Sequence, residues 1–174
     1  MRSSTRRLRD LTVFAMLGAL MITTKTAMEV IPNVHFLGLF IAAITLTYRV
    51  RALIPIYVFV MLQGVLLGFS VSWLFHLYIW IPLWGVFMIA GKFNLPLEVK
   101  IPLYMTLCGL HGLAYGTLCA PMQALVWGYN FNMTVAWIIS GLSFDIPHAI
   151  SNTAMGVLII PLSELLKKLD KGRI

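Results

Sequence analysis

A compact all-α bundle of six membrane-spanning helices, with both termini cytoplasmic, is the fold class this sequence predicts, and three observations predict it. Of the 174 residues, 60% are hydrophobic and 11% are charged, where a soluble domain carries roughly 25% charged residues. The mean hydropathy is +0.89. The apolar residues gather into stretches long enough to cross a bilayer, and the lysines and arginines gather between alternate stretches. A span needs about 20 apolar residues, so the length holds roughly six helices in a single transmembrane domain. A chain so filled by spans has no soluble part for ATPase chemistry, which is expected only in partner subunits. No cofactor is expected in the chain itself.

The first stretch covers residues 11–31, after a strongly basic segment that ends at Asp10. Its apolar core runs on into Thr23, Thr24, Lys25 and Thr26 without a small-residue cleavage site, so it reads as a retained span and not a signal peptide. The second stretch, 34–48, is short and ends at the basic turn around Arg49 and Arg51. The third covers 52–69, the fourth 73–90, the fifth 101–127 and the sixth 144–166. Residues 128–143 are apolar at their centre but too short to cross, which predicts an outer loop or lid, with a short helix lying at the outer surface as one form of it.

The basic residues test this order through the positive-inside rule. Arg2, Arg6, Arg7 and Arg9 precede the first stretch, Arg49 and Arg51 separate the second from the third, Lys92 and Lys100 separate the fourth from the fifth, and Lys167, Lys168, Lys171 and Arg173 follow the sixth. Only Lys25 is left over. The turns near Pro32, 70–72 and 128–143 contain no basic residue. The net charge of +7 is thereby explained by topology in a cell membrane, and nucleic acid is not expected as a partner.

Lys25 lies well inside the first stretch, and a charge near mid-membrane costs on the order of 2.5–3.5 kcal/mol on insertion scales. Glu29 follows four residues later, one turn on, so the two can pair along one helix face. The pair is either self-neutralising or the charged part of a site. With the spans alternating in direction, further polar groups fall at the same outer depth: Asn33, His35, Gln63, His76, Tyr115, Gln123, His148 and Asn152. His76, Trp80 and Trp84 repeat every four residues and share a helix face, as do His148 and Asn152. These residues outline an outward-facing cavity, with Trp80 and Trp84 as stacking surfaces for a flat ring. Each has a plainer alternative. Trp73 and Trp127 suit an interfacial belt, Asp145 before Pro147 suits an N-cap, and the polar pairs could simply bridge helices.

Two cysteines eleven residues apart in apolar sequence, Cys108 and Cys119, suggest packing and not a disulfide framework. The four histidines lack local metal-ligand spacing, and no nucleophile elbow, phosphate loop or His-Glu-x-x-His motif is present. No metal site and no enzyme activity are expected. Small residues mark close helix contacts: Gly109, Gly112 and Gly116 inside the bundle, and Ala15, Gly18 and Ala19 either inside it or against a partner.

The size, the six stretches, the basic N-terminus leading into Ala15-x-x-x-Ala19 and the run from Phe144 through Asn152 into an amphipathic end together resemble the substrate-binding S components of energy-coupling factor transporters. That resemblance covers nearly the whole chain. It implies a high-affinity subunit for a small water-soluble vitamin or precursor, captured from outside and delivered when the subunit topples in the membrane. It further implies that Ala15, Gly18 and Ala19 meet a membrane scaffold subunit driven by two cytoplasmic ATPases. No substrate signature transfers residue by residue. Lys25 beside a carboxylate suits an acidic or zwitterionic group, and the tryptophans suit a planar body. A self-contained carrier or channel is the main rival, and an intramembrane enzyme a lesser one.

Overall fold

The computed structural model describes residues 2–31, 34 and 36–171, which are helices joined by turns and short irregular stretches with no strand among them. Helix α1 is Arg2–Met28, α2 Leu37–Tyr48, α3 Leu53–Leu67, α4 Val71–His76, α5 Trp80–Ala90, α6 Leu97–Leu113, α7 Tyr115–Trp127, α8 Phe131–Gly156 and α9 Ile159–Lys171. Four helical stretches are long and apolar enough to cross a membrane: Arg7–Met28, Leu37–Leu67, Val71–Ala90 and Phe131–Gly156. The second joins α2 and α3 through a 3₁₀ turn, where Arg49 at φ 57° redirects the chain.

The expected fifth stretch is divided at Ala114 into α6 and α7. Of the expected outer segment 128–143, the part from Phe131 onward is helical, but as the first half of the longer α8 and not as a short helix of its own. Local chemistry explains this. Gly128 takes the left-handed conformation (φ 67°) that closes α7, and two residues later the Asn130 side chain accepts from the Met133 N–H at 2.9 Å, opening α8. The chain therefore turns within three residues from α7 into α8. The expected sixth stretch likewise ends early, at Gly156, and α9 follows as a separate amphipathic helix whose buried Ile159, Ser163 and Leu166 rest on α2.

A core of Phe14, Met21, Ile41, Ile44, Ile56, Phe59 and Phe87 is fully buried, while Leu66, Leu125, Phe131, Ile139 and Ile150 are exposed around the outside. So much exposed apolar surface suits hydrocarbon better than water. At one end, Arg51 pairs with Asp10 at 2.6 Å and lies over the Phe14 ring, while an Arg49 Nη donates to the Met88 carbonyl. The basic turn is thus tied to the start of α1 and the end of α5. α3 runs from this end to the opposite one, where α1 ends and α2 begins.

The most extensive helix contact is α6 on α8, and α1 packs chiefly on α3. Glycines permit the first. A Cβ on Gly112 would stand 2.8 Å from the His148 carbonyl oxygen and 2.9 Å from the Ala149 nitrogen, and one on Gly156 would stand 2.6 Å from Met105 Cα. Backbone meets backbone there, as in membrane helices joined by small residues. Gly112→Leu should lower thermal stability in detergent, by roughly 1–3 kcal/mol as for other overpacked cores. Gly141→Ala in α8, where a Cβ meets nothing within 4 Å, should leave the melting temperature unchanged or raise it.

Candidate functional site

At the end away from Arg49 and Arg51, a cavity of about 340 Å³ is lined by Lys25 of α1, Leu37 of α2, Gln63 of α3, Ser72, Trp73 and His76 of α4, Trp80 of α5, Tyr115 of α7 and His148 of α8, with Ser70 at the α3–α4 turn. A smaller recess continues from it past Gly38 and His111 to Asn152. Most residues expected from sequence thus come together: Lys25, Gln63, His76, Trp80, Tyr115 and His148 in the cavity, and Asn152 in the recess.

The wall carrying His76 and Trp80 is shaped by Pro82. Proline has no N–H to return to the Tyr78 carbonyl, and that carbonyl accepts from Ile81 N instead, at 3.0 Å. The tightened turn releases the Leu77 carbonyl, which accepts from the Tyr57 hydroxyl at 2.9 Å, while the Ile79 carbonyl accepts from His111 Nε2 at 2.8 Å. Backbone polar groups in an apolar surrounding need such partners. The turn ends α4 at His76 and starts α5 at Trp80, and both residues remain on the cavity side.

The opposite wall is held by Asp145, which is only 2% exposed. It is expected as the N-cap of its own helix but lies in the middle of α8, because α8 starts at Phe131. Its two oxygens accept from the Gly116 N–H at 3.0 and 3.1 Å. A carboxylate of one helix thereby caps the first turn of another, where the helix dipole favours negative charge. The next residue back, Tyr115, is the first of α7, and its ring stacks on His148 at 5.1 Å and 18°. Trp80 stacks on His111 at 5.7 Å and 28° and leans on His76 at 5.7 Å.

No family model, curated protein or solved structure matches this chain.

Lys25 lines the cavity and also pairs with Glu29 at 3.0 Å, so the two expectations for it coexist. Its side chain is 16% exposed and that of Glu29 50%, and Glu29 is outside the cavity lining. Trp84 is also outside. Four residues beyond Trp80 and about 6 Å along the axis, it donates instead to the Arg49 carbonyl at 3.2 Å. Gln123 lies two turns up α7 from Tyr115, half-buried and away from both spaces. Trp73, expected at an interface, lines the cavity and donates to the Val60 carbonyl at 2.8 Å, while Trp127 is exposed. Asn33 and His35 lie outside the described residues. Gly18 does not offer itself to a partner: it is buried against Val58 of α3. Ala15 and Ala19 are exposed.

His111 was not expected in the site. Its position four residues before Tyr115 put it on the same helical face, and that spacing was the available signal. Chemically, the cavity offers one cation, stacked aromatic and imidazole surfaces, and two buried polar atoms without a hydrogen-bond partner among the described residues, Gln63 Oε1 and Trp80 Nε1. Removing the cap with Asp145→Ala should cost about 1–3 kcal/mol, the range for a buried N–H left unpaired. Asp145→Asn, which keeps an oxygen for Gly116, should cost less in the same thermal melt.

Proposed function

We propose that the chain is the membrane-embedded solute-binding subunit of an ATP-driven importer, similar to the S components of energy-coupling factor transporters. In this reading the chain crosses the membrane six times, with α6 and α7 together making one crossing. The Arg49 and Arg51 end and both chain ends face the cytoplasm, and the cavity opens outward. The observation that carries the reading is the cavity itself: a space of about 340 Å³ lined by a lysine and stacked rings, at the end opposite the basic turn. Its size and lining suit a small, planar, acidic or zwitterionic solute of the vitamin or vitamin-precursor class.

A self-contained carrier or channel needs a polar path through the bundle. Between the cavity and the basic end, the core includes Met21, Ile44, Ile56, Phe59 and Phe87, each fully buried, and the equally buried Thr45 spends its hydroxyl on the Ile41 carbonyl of its own helix. This favours a subunit that moves as a whole with its cargo, energised by a scaffold subunit and two cytoplasmic ATPases. The exposed Ala15 and Ala19, one turn apart on α1, offer the scaffold a flat strip.

Mass spectrometry of small molecules retained by the purified chain tests the binding role. A stoichiometric planar solute is expected with the unmodified protein and is expected to be lost from Lys25→Ala. The coupling role is tested by Ala15→Trp combined with Ala19→Trp. Uptake by cells should fall to background while solute retention stays within about twofold, because bulk on an exposed strip blocks docking without reaching the cavity. Loss of retention in the double variant would instead assign the strip to internal packing.

A further inference from the structure

The ion pair beside the cavity is built unequally, and the inequality gives Glu29 a role. Lys25 belongs to the last turn of α1, lines the cavity and has a side chain 16% exposed, while Glu29 lies just beyond the end of the helix, outside the lining and 50% exposed. The Lys25 ammonium stands close enough to His76, on another wall of the cavity, for its charge to act on that ring. It therefore serves two spaces at once: the cavity, and the turn where Glu29 Oε1 meets its Nζ at 3.0 Å. No carboxylate lines the cavity. Asp145, the acid of the opposite wall, is engaged with the Gly116 N–H.

This pair parts readily from one side only. An i,i+4 pair in contact with water is weak. Glu29 stands at the C-terminal end of α1, where the helix dipole favours the lysine and disfavours a negative charge. Its backbone is already in a turn, with its N–H on the Thr26 carbonyl, so the side chain can swing away without unwinding the helix. Water then takes up the released carboxylate. A released Lys25 ammonium would instead be left inside an apolar span without a counter-charge.

We propose that Glu29 is a resident counter-ion, which neutralises Lys25 in the empty protein and is displaced from it by an anion entering the cavity. The lysine is paired in both states. Glu29 thereby sets the charge preference of the site: a neutral solute leaves the pair in place and gains nothing from Lys25, whereas an anion gains Lys25 in exchange for a weak pair. The inference rests on the solute-binding role proposed above and adds the step by which an acidic solute is accepted.

Equilibrium dialysis of the full chain in detergent against benzoate and benzamide tests it, since the two probes share a planar ring and a shape and differ in charge. Glu29→Gln should tighten benzoate about two- to fivefold, the range that an exposed ion pair is worth, and leave benzamide unchanged. Lys25→Met should weaken benzoate and leave benzamide unchanged. Adding Glu29→Gln to Lys25→Met should then change nothing further, because the glutamate acts only through the lysine. Unchanged or weaker binding of benzoate to Glu29→Gln overturns the inference, the latter by making the glutamate a support of the lysine. An equal effect on both probes, or an effect that persists without Lys25, assigns Glu29 a structural role and overturns it as well. Binding of neither probe also overturns it. In that case a retained solute that Lys25→Ala loses keeps the solute-binding role, and the absence of any retained solute removes both.

Discussion

The close approach of α6 and α8 is the constraint on which the cavity depends. With only hydrogens at Gly112 and Gly156, the two backbones come within contact distance. Everything these helices carry is placed by that separation. Asp145 reaches the Gly116 N–H, and His148 comes under the Tyr115 ring. Asn152 fits between Gly38 and Gly112, where a Cβ would stand 3.2 and 2.8 Å from its amide atoms. In an apolar medium no hydrophobic force draws helices together, so packing this tight and the polar contacts it permits supply the cohesion.

That contact also explains how polar groups are tolerated deep in an apolar bundle. Two interruptions of the helices have side-chain partners: Asp145 at the start of α7, and Tyr57 and His111 at the turn between α4 and α5. The partners come from other helices, so the interruptions are satisfied only when the bundle is assembled. Fold and site are consequently one network, and the aromatic lining is fixed by the same hydrogen bonds that hold the helix ends.

Much of this was legible in the sequence because membrane burial leaves strong traces. A lysine inside an apolar stretch, His76 and Trp80 one turn apart, and the glycines of α6 each have few low-energy uses in hydrocarbon, and all fall where their spacing places them. The misread features depend on contacts between distant segments. Asp145 before Pro147 has the local pattern of a cap, and only the approach of α7 makes it the cap of a different helix. Trp84 continues the face of His76 and Trp80, but a helical face extends beyond any one cavity, and its third member reaches the basic turn. Gly18 shares its spacing with two exposed alanines, yet the rotation of α1 about its axis, set by packing on α3, turns it inward. The extent of α8 was the exception. Gly128 and Asn130 are local stop and start signals, and because 128–143 alone is too short to cross, it suggests a loop or a short separate helix and not the start of a longer one.

The turn between α4 and α5 gives the two walls of the cavity different mechanical characters. The α6–α8 side is a weld, where any change of spacing drives backbone atoms together. The α4–α5 side is a joint, because His76 and Trp80 belong to separate helical segments held by the Tyr57 hydroxyl and the His111 imidazole. Side-chain hydrogen bonds can be exchanged for others without unwinding a helix. Any change in the width of the cavity thus falls on the joint, and the weld keeps its depth constant.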